Sequence, residues 1–265
     1  MSRFVRRAGV ILLVCTFGIA AARADDAPKE KPAVVLNTKT IEATLTIEPK
    51  LKAWPGLYDN LLAEGKRELV KWRRQSEKDR KEMADIFHDG RRYAFDRAYA
   101  ERSAIGRYVS IVCADYLDGL GAHPNHFTNT ILWDATARKR VSIRPFFKES
   151  AAGGPTLTRL AHLIRVSLAV EKKARDVQVG DPDSDFELAN VRPDLLKMGA
   201  VALVPSTEKD KSAGLVFYFS PYAVGAYYEG DYTAFVPWTD FKGDLSPQGA
   251  ALFGGERPAG DEKND

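Results

Sequence analysis

Apolar and polar residues alternate cleanly from Thr40 to Glu48, with Ile41, Ala43, Leu45 and Ile47 on one side and threonine and glutamate on the other. That period of two predicts a half-buried strand. After Pro55 the rhythm changes: Tyr58, Leu61, Leu62, Leu69 and Trp72 fall at helical spacing, which predicts one long helix from about 56 to 86. Its middle, Arg73 to Glu82, is almost wholly charged and reads as a solvated face, and Met83, Ile86 and Phe87 resume the apolar stripe before Asp89-Gly90 ends it. Four strands follow, Arg92 to Glu101, Gly106 to Leu117, His126 to Trp133 and Arg140 to Ile143, and their short connections imply antiparallel neighbours. Gly153-Gly154-Pro155 opens a second helix to about Asp176, with Leu157, Leu160, Ala161, Ile164 and Leu168 inward and His162 outward. Three more strands are predicted, Gly199 to Pro205, Gly214 to Ser220 and Tyr232 to Pro237, with a candidate short helix over Pro247 to Phe253.

The expected fold class is α+β, mostly antiparallel sheet with two main helices packed on it, in two closely associated subdomains. The expected divisions are a signal peptide over 1–24, a flexible lead-in over 25–35, and a strand-helix-strand subdomain over 36–118. A C-terminal subdomain follows over 119–245, then a largely disordered tail over 246–265.

The start of the chain changes the charge picture. Arg3, Arg6 and Arg7 precede an uncharged apolar run from Gly9 to Ala21, and Ala22-Arg23-Ala24 supplies a small-x-small cleavage pattern. This is the layout of a cleaved secretory signal, and the run is short for a permanent membrane span. The expected location is periplasmic or secreted, with no permanent membrane anchor. Removing four arginines lowers Lys+Arg from 39 to 35 against 36 Asp+Glu. The mature chain is therefore near neutral, and with no basic stripe interleaved with aromatics it is not expected to bind nucleic acid. Cys15 falls within the signal, so only Cys113 remains and no intrachain disulfide is expected. Cys113 shares a strand face with Val109, Ile111 and Leu117, which predicts a buried apolar thiol.

Motifs for catalysis are sparse. The chain has no Gly-x-Ser-x-Gly elbow, no His-Glu-x-x-His and no phosphate loop. His123-Pro124-Asn125-His126, with Asp115 and Asp118 upstream, is the strongest metal candidate, but Pro124-Asn125 favours a turn over a helix. Asp181, Asp183 and Asp185 open like a calcium loop, yet Phe186 replaces the needed glycine and Arg192 occupies the twelfth position. Glu42, Glu48, Glu101, Asp115 and Asp134 are candidates for glycan acid–base chemistry with no spacing that selects a pair. Neither catalytic residues nor metal ligands nor a cofactor are therefore assigned. The most unusual segment is Ser220 to Gly230, with Tyr222, Tyr227 and Tyr228 on a loop constrained by Pro221 and two glycines. Tyrosines on such a loop offer amphipathic contact area at low entropic cost.

Four stretches together resemble a known family. They are Tyr99 to Val112, Gly119-Leu120-Gly121-Ala122-His123-Pro124-Asn125, Asn129 to Phe147, and Phe217 to Gly230 with its Ser220-Pro221-Tyr222, followed by Val236-Pro237-Trp238. They are similar to the RsiV-like extracytoplasmic domain, the lysozyme-binding C-terminal domain of an anti-sigma factor, also found ahead of peptidoglycan deacetylase domains. Leu120 interrupts the family's Gly-Gly-Ala-His-Pro turn, and Ser220 stands where the family has an acid. The resemblance spans roughly 36 to 245. It implies an α+β fold and a module that binds without catalysis, with lysozyme or another envelope glycan enzyme as partner. The chain is expected to lack the transmembrane and cytoplasmic signalling segments, so the signalling role is not implied. The expected binding residues are His123, Pro124, Asn125, His126, Ser220, Pro221, Tyr222, Tyr227 and Tyr228. The alternative reading is an envelope enzyme, or accessory subunit, acting on peptidoglycan or polysaccharide.

Overall fold

In the computed structural model, which describes residues 30–265, nine strands form two sheets. The larger holds β1 (Val34–Asn37), β2 (Ile41–Ile47), β3 (Tyr93–Ile105), β4 (Tyr108–Asp118), β5 (Asn125–Asp134) and β6 (Lys139–Val141) in sequence order. The smaller holds β7 (Ala200–Pro205), β8 (Ser212–Phe219) and β9 (Tyr232–Pro237). All pairs are antiparallel except β2 with β3. That pair is joined through helix α1 (Leu57–Glu82), the crossover that parallel neighbours need. The α+β class follows directly.

The alternation read from Thr40 to Glu48 puts Ile41, Ala43, Leu45 and Ile47 in a core beneath α1, with Leu57, Leu61 and Leu69 above them. Gly65 lets the helix approach: a Cβ there would lie 2.5 Å from the Leu45 side chain. Helix α2 (Pro155–Ala174) covers the small sheet, burying Leu157, Leu160, Ala161, Ile164 and Leu168 against Phe217, Tyr232 and Val236. Every residue of β8 is buried, because the sheet's other face lies on the large sheet through Ala202, Val204 and Val216, with Val112 packed against them. Two hydroxyls lock the sheets together: Ser110 Oγ accepts from Leu203 N–H at 3.0 Å, and Ser103 Oγ donates to Leu203 O at 2.7 Å.

Several expectations are corrected. Helix α1 ends at Glu82 rather than 86, and a 3-10 segment, Ala84–Gly90, follows a break at Met83 (φ −135°), which is 47% exposed. The charged middle is not wholly solvated: Asp79 is buried and accepts from Tyr93 Oη at 2.7 Å, and Ser76 donates to Thr40 Oγ1 at 2.9 Å. Strand β1 begins inside the expected lead-in. Position 118/119 falls in the β4–β5 hairpin of one continuous sheet, and residues 31–265 form one compact unit. The tail is ordered by packing. Helices α3 (Trp238–Phe241) and α4 (Pro247–Leu252) seat Phe241, Leu252 and Phe253 in the core. Beyond them the Arg102 guanidinium, 1% exposed, pairs with Asp261 at 2.6 Å and Asp265 at 2.8 Å. The export signal and Cys15 lie outside the described residues. No helix among the described residues is long and apolar enough to cross a membrane.

Candidate functional site

The turn after β4 and the loop after β8 meet at one end of the molecule. Asp118 Oδ1 accepts from Leu120 N–H at 2.8 Å, and Leu120 takes a left-handed φ of 61° to turn the chain. His123 then stacks on Tyr227, with ring centroids 3.9 Å apart. Its Nδ1 lies 2.9 Å from Pro124 O, so that nitrogen carries the proton. Nε2 is left to accept from Tyr222 Oη at 3.2 Å. Tyr227 Oη donates to Pro124 O at 2.7 Å, and the rings of Tyr222 and Tyr227 lie 5.4 Å apart. The result is a continuous three-ring layer drawn from loops about a hundred residues apart.

Ser220 closes the other side of this junction: its Oγ accepts from Thr128 N–H of β5 at 2.8 Å. The position supplies an oxygen acceptor, which a serine provides as well as an acid. Tyr222 sits at a φ of 71°, a left-handed conformation that L-residues avoid, and is 60% exposed. Tyr228 is 86% exposed. Asn125 begins β5 opposite Leu117, while His126 packs edge-on against Tyr116 at 5.2 Å, apart from the three-ring layer. Pro221 is half-buried at the bend. The structure thus brings His123, Pro124, Tyr222 and Tyr227 together by direct contact, ties Ser220 to β5 instead, and leaves Asn125, His126, Pro221 and Tyr228 outside that contact set.

The loop has an anchor that sequence reasoning missed. The Lys172 side chain, 1% exposed, places Nζ 2.8 Å from Glu229 Oε2 and 2.8 Å from Glu187 Oε2. Glu229 also accepts from Ala226 N–H at 2.8 Å and Tyr232 Oη at 2.7 Å. Burial opposes ionisation of Glu229, but the bonds from Lys172, Tyr232 and Ala226 outweigh it and hold its carboxyl below the usual range. Burial likewise opposes the charge on Lys172, and its two glutamates outweigh that and raise it. Arg175 donates to the carbonyls of Glu229 and Asp231 at 3.1 Å and 2.8 Å. A signal existed: Lys172 continues the apolar stripe of α2 four residues after Leu168.

The other candidates carry structural duties. Arg97 and Asp115 pair at 2.5 Å, Arg92 and Glu42 at 2.7 Å, and Asp134 binds Arg107. Glu48 accepts from Glu101 N–H at 2.7 Å, and Glu101 from Trp54 Nε1 at 2.8 Å. Asp183 pairs with His162 at 2.6 Å, and Asp181 and Asp185 cap their own turn. Cys113 is buried, and burial pushes its thiol up to about 12. Among the described residues no group of three or more His, Cys, Asp or Glu side chains could hold a metal. Beside Ser220 opens a cleft of about 580 Å³, between β5 and the start of β7.

Residues 155–239, spanning α2, the small sheet and the tyrosine loop, match the model of DUF3298, described as a protein family of unknown function. Two solved structures of that family are similar to this chain. One, from Bacteroides fragilis, is 16% identical with a TM-score of 0.49, covering 82% of this chain and 96% of its own. The other, from Pseudomonas aeruginosa PAO1, is 17% identical with a TM-score of 0.49, covering 85% and 93%. Nothing among curated proteins matches.

Proposed function

We propose that this chain is an exported, non-catalytic binding protein of RsiV-like type. Its aromatic rim recognises a partner protein, namely lysozyme or another glycan enzyme of the cell envelope. The observation that carries this reading is the convergence of the two loops. His123, Tyr222 and Tyr227 are already stacked and hydrogen-bonded, and Tyr222 and Tyr228 stand exposed beside them. Aromatic anchors are typical of binding hot spots, and a rim ordered in advance avoids the entropy of ordering it on contact. The buried anchor at Lys172 and Glu229 supports the same reading, because it holds a solvent-facing loop in one conformation. The candidate acid–base carboxylates are engaged in ion pairs or hydrogen bonds within the fold, which favours binding over glycan hydrolysis.

The test is calorimetric titration of the mature protein with c-type lysozyme. Saturable 1:1 heat is expected, weakened by Tyr222→Ala. Absence of heat at about 50 µM protein, a regime that detects even weak complexes, refutes the lysozyme reading. Export is tested separately by fractionation and N-terminal sequencing of the product, expected to begin at Asp25.

A further inference from the structure

Strand β5 is paired on its outer side only at its far end. The three residues of β6 cover Leu132, Trp133 and Asp134 and leave Asn125 to Ile131 without a strand partner there. Strand direction decides which backbone groups face that gap. Ala135 N–H, one step beyond β5, donates to Arg107 O at 2.9 Å, so odd-numbered residues turn their peptide groups toward β4. Even-numbered residues turn theirs outward: Leu132 and Asp134 to β6, and His126, Thr128 and Thr130 to the open edge. Ser220 Oγ occupies Thr128 N–H. No ladder, bridge or side chain among the described residues takes up the Thr130 N–H or C=O.

Natural edge strands are guarded by lysine, proline or a bulge. Asn125 to Ile131 has no charge and no proline, and its register with β4 is unbroken. Instead of a guard, the edge has a cleft of about 580 Å³ running beside it, with apolar side chains from Leu195, Leu196, Val201 and Val224. The charged residues lining it are Arg144 and Lys197 alone. Arg144 spends one N–H on the carbonyl of Ser150, and Lys197 meets Asp194 only at 3.9 Å, so both retain positive potential toward the cleft.

We propose that this cleft takes an extended, acidic peptide segment of a partner, which adds to β5 in the line where β6 stops. An exposed edge binds a strand through main-chain bonds and selects it through alternate side chains. Main-chain bonds at Thr130 give the affinity, and Arg144 and Lys197 select carboxylates. A second copy of this chain is the poorer occupant: its own open edge offers no carboxylate to the two cations. The inference does not rest on lysozyme recognition by the aromatic rim.

The probe is a fluorescein-labelled eight-residue peptide of alternating valine and glutamate, titrated by anisotropy against the full mature chain. Saturable binding is expected, with slowed hydrogen exchange at the Thr130 amide. N-methylation at alternate residues removes strand bonding but keeps charge and side chains. It should weaken binding at least about tenfold, as should replacing glutamate by lysine. Arg144→Glu with Lys197→Glu should reverse the preference. Thr130→Pro deletes an N–H that the fold does not use and should abolish binding; if that variant misfolds, the N-methylated probe still decides. Tyr222→Ala should leave probe affinity unchanged. Equal affinity for plain and N-methylated probes, no binding at about 1 mM probe, or a dimer that the probe fails to dissociate overturns the proposal.

Discussion

Replacing Lys172 by methionine removes the cation beneath the tyrosine loop and keeps its hydrocarbon volume. Glu229 then sits 4% exposed with no counter-charge, while Glu187, 41% exposed, can turn to water. Breaking a buried pair from one side costs about 3–5 kcal/mol. Only one of the two carboxylates is stranded, so the low end, about 3 kcal/mol, is expected at pH 7. The sign with pH follows from Glu229. In the parent its carboxyl lies below the usual range, because bonds from Lys172, Tyr232 and Ala226 outweigh burial. Such a group contributes stability that is present above the unfolded value and is lost as pH falls through the folded one. Without Lys172 burial prevails and the carboxyl moves up, so the variant takes a proton on folding and its deficit narrows toward pH 4. Urea unfolding at pH 7 and pH 4 measures both numbers. Adding Glu229→Gln keeps an acceptor for Ala226 and Tyr232 without the stranded charge, and should recover much of the loss at pH 7. A deficit below about 1 kcal/mol, a deficit equal at both pH values, or a double variant no better than the single one refutes the reasoning.

Three further outcomes follow from the same geometry. Cys113, with its thiol pushed up to about 12 by burial, should resist alkylation at pH 8 in the native protein and react once it is unfolded in urea. Ending the chain at Gly260 removes both carboxylates from the buried Arg102 guanidinium and should cost about 3 kcal/mol in thermal unfolding, where a disordered tail would cost nothing. Tyr222→Gly relieves the left-handed backbone at φ 71° and should leave stability unchanged or raise it by up to about 1 kcal/mol in urea unfolding, while lysozyme heat falls.

How much of this was legible along the chain depends on what each feature needs. The period-two runs located the strands within a few residues, because one buried face is enough to impose alternation. Helix α1 was legible for the same reason, but its end was not: the break at Met83 answers to how the chain must enter β3, which no local stripe records. Strand β1 is four residues long, too short for a period to declare itself. Lys172 falls on the apolar stripe of α2, but the two acids that explain its burial come from other segments and no local pattern points to them. The tail reads as disordered by composition: Arg257 lies within reach of its aspartates along the chain, but the buried Arg102 that draws them onto the sheet comes from a distant segment.

The aromatic rim stands between these cases. Its residues were readable as unusual, since a tyrosine-rich loop bounded by proline and glycine has no role in a strand or helix. Their meeting was not readable, because it depends on β5 carrying Thr128 to Ser220 and on the two sheets packing face to face. A loop held only by its own sequence would relax Tyr222 out of its left-handed conformation. Here the strain is sustained from both ends, by Ser220 on β5 and by Glu229 on a buried lysine. Strain sustained that way persists where the surrounding structure over-determines it, and such sites cluster where binding or chemistry occurs. Among the described residues Asp89, Leu120, Arg138, Asp176 and Asp210 also have a positive φ, so the conformation of Tyr222 counts only together with its exposed aromatic ring and its two anchors. That combination separates this loop from Phe186, which is 91% exposed but has no left-handed backbone beneath it.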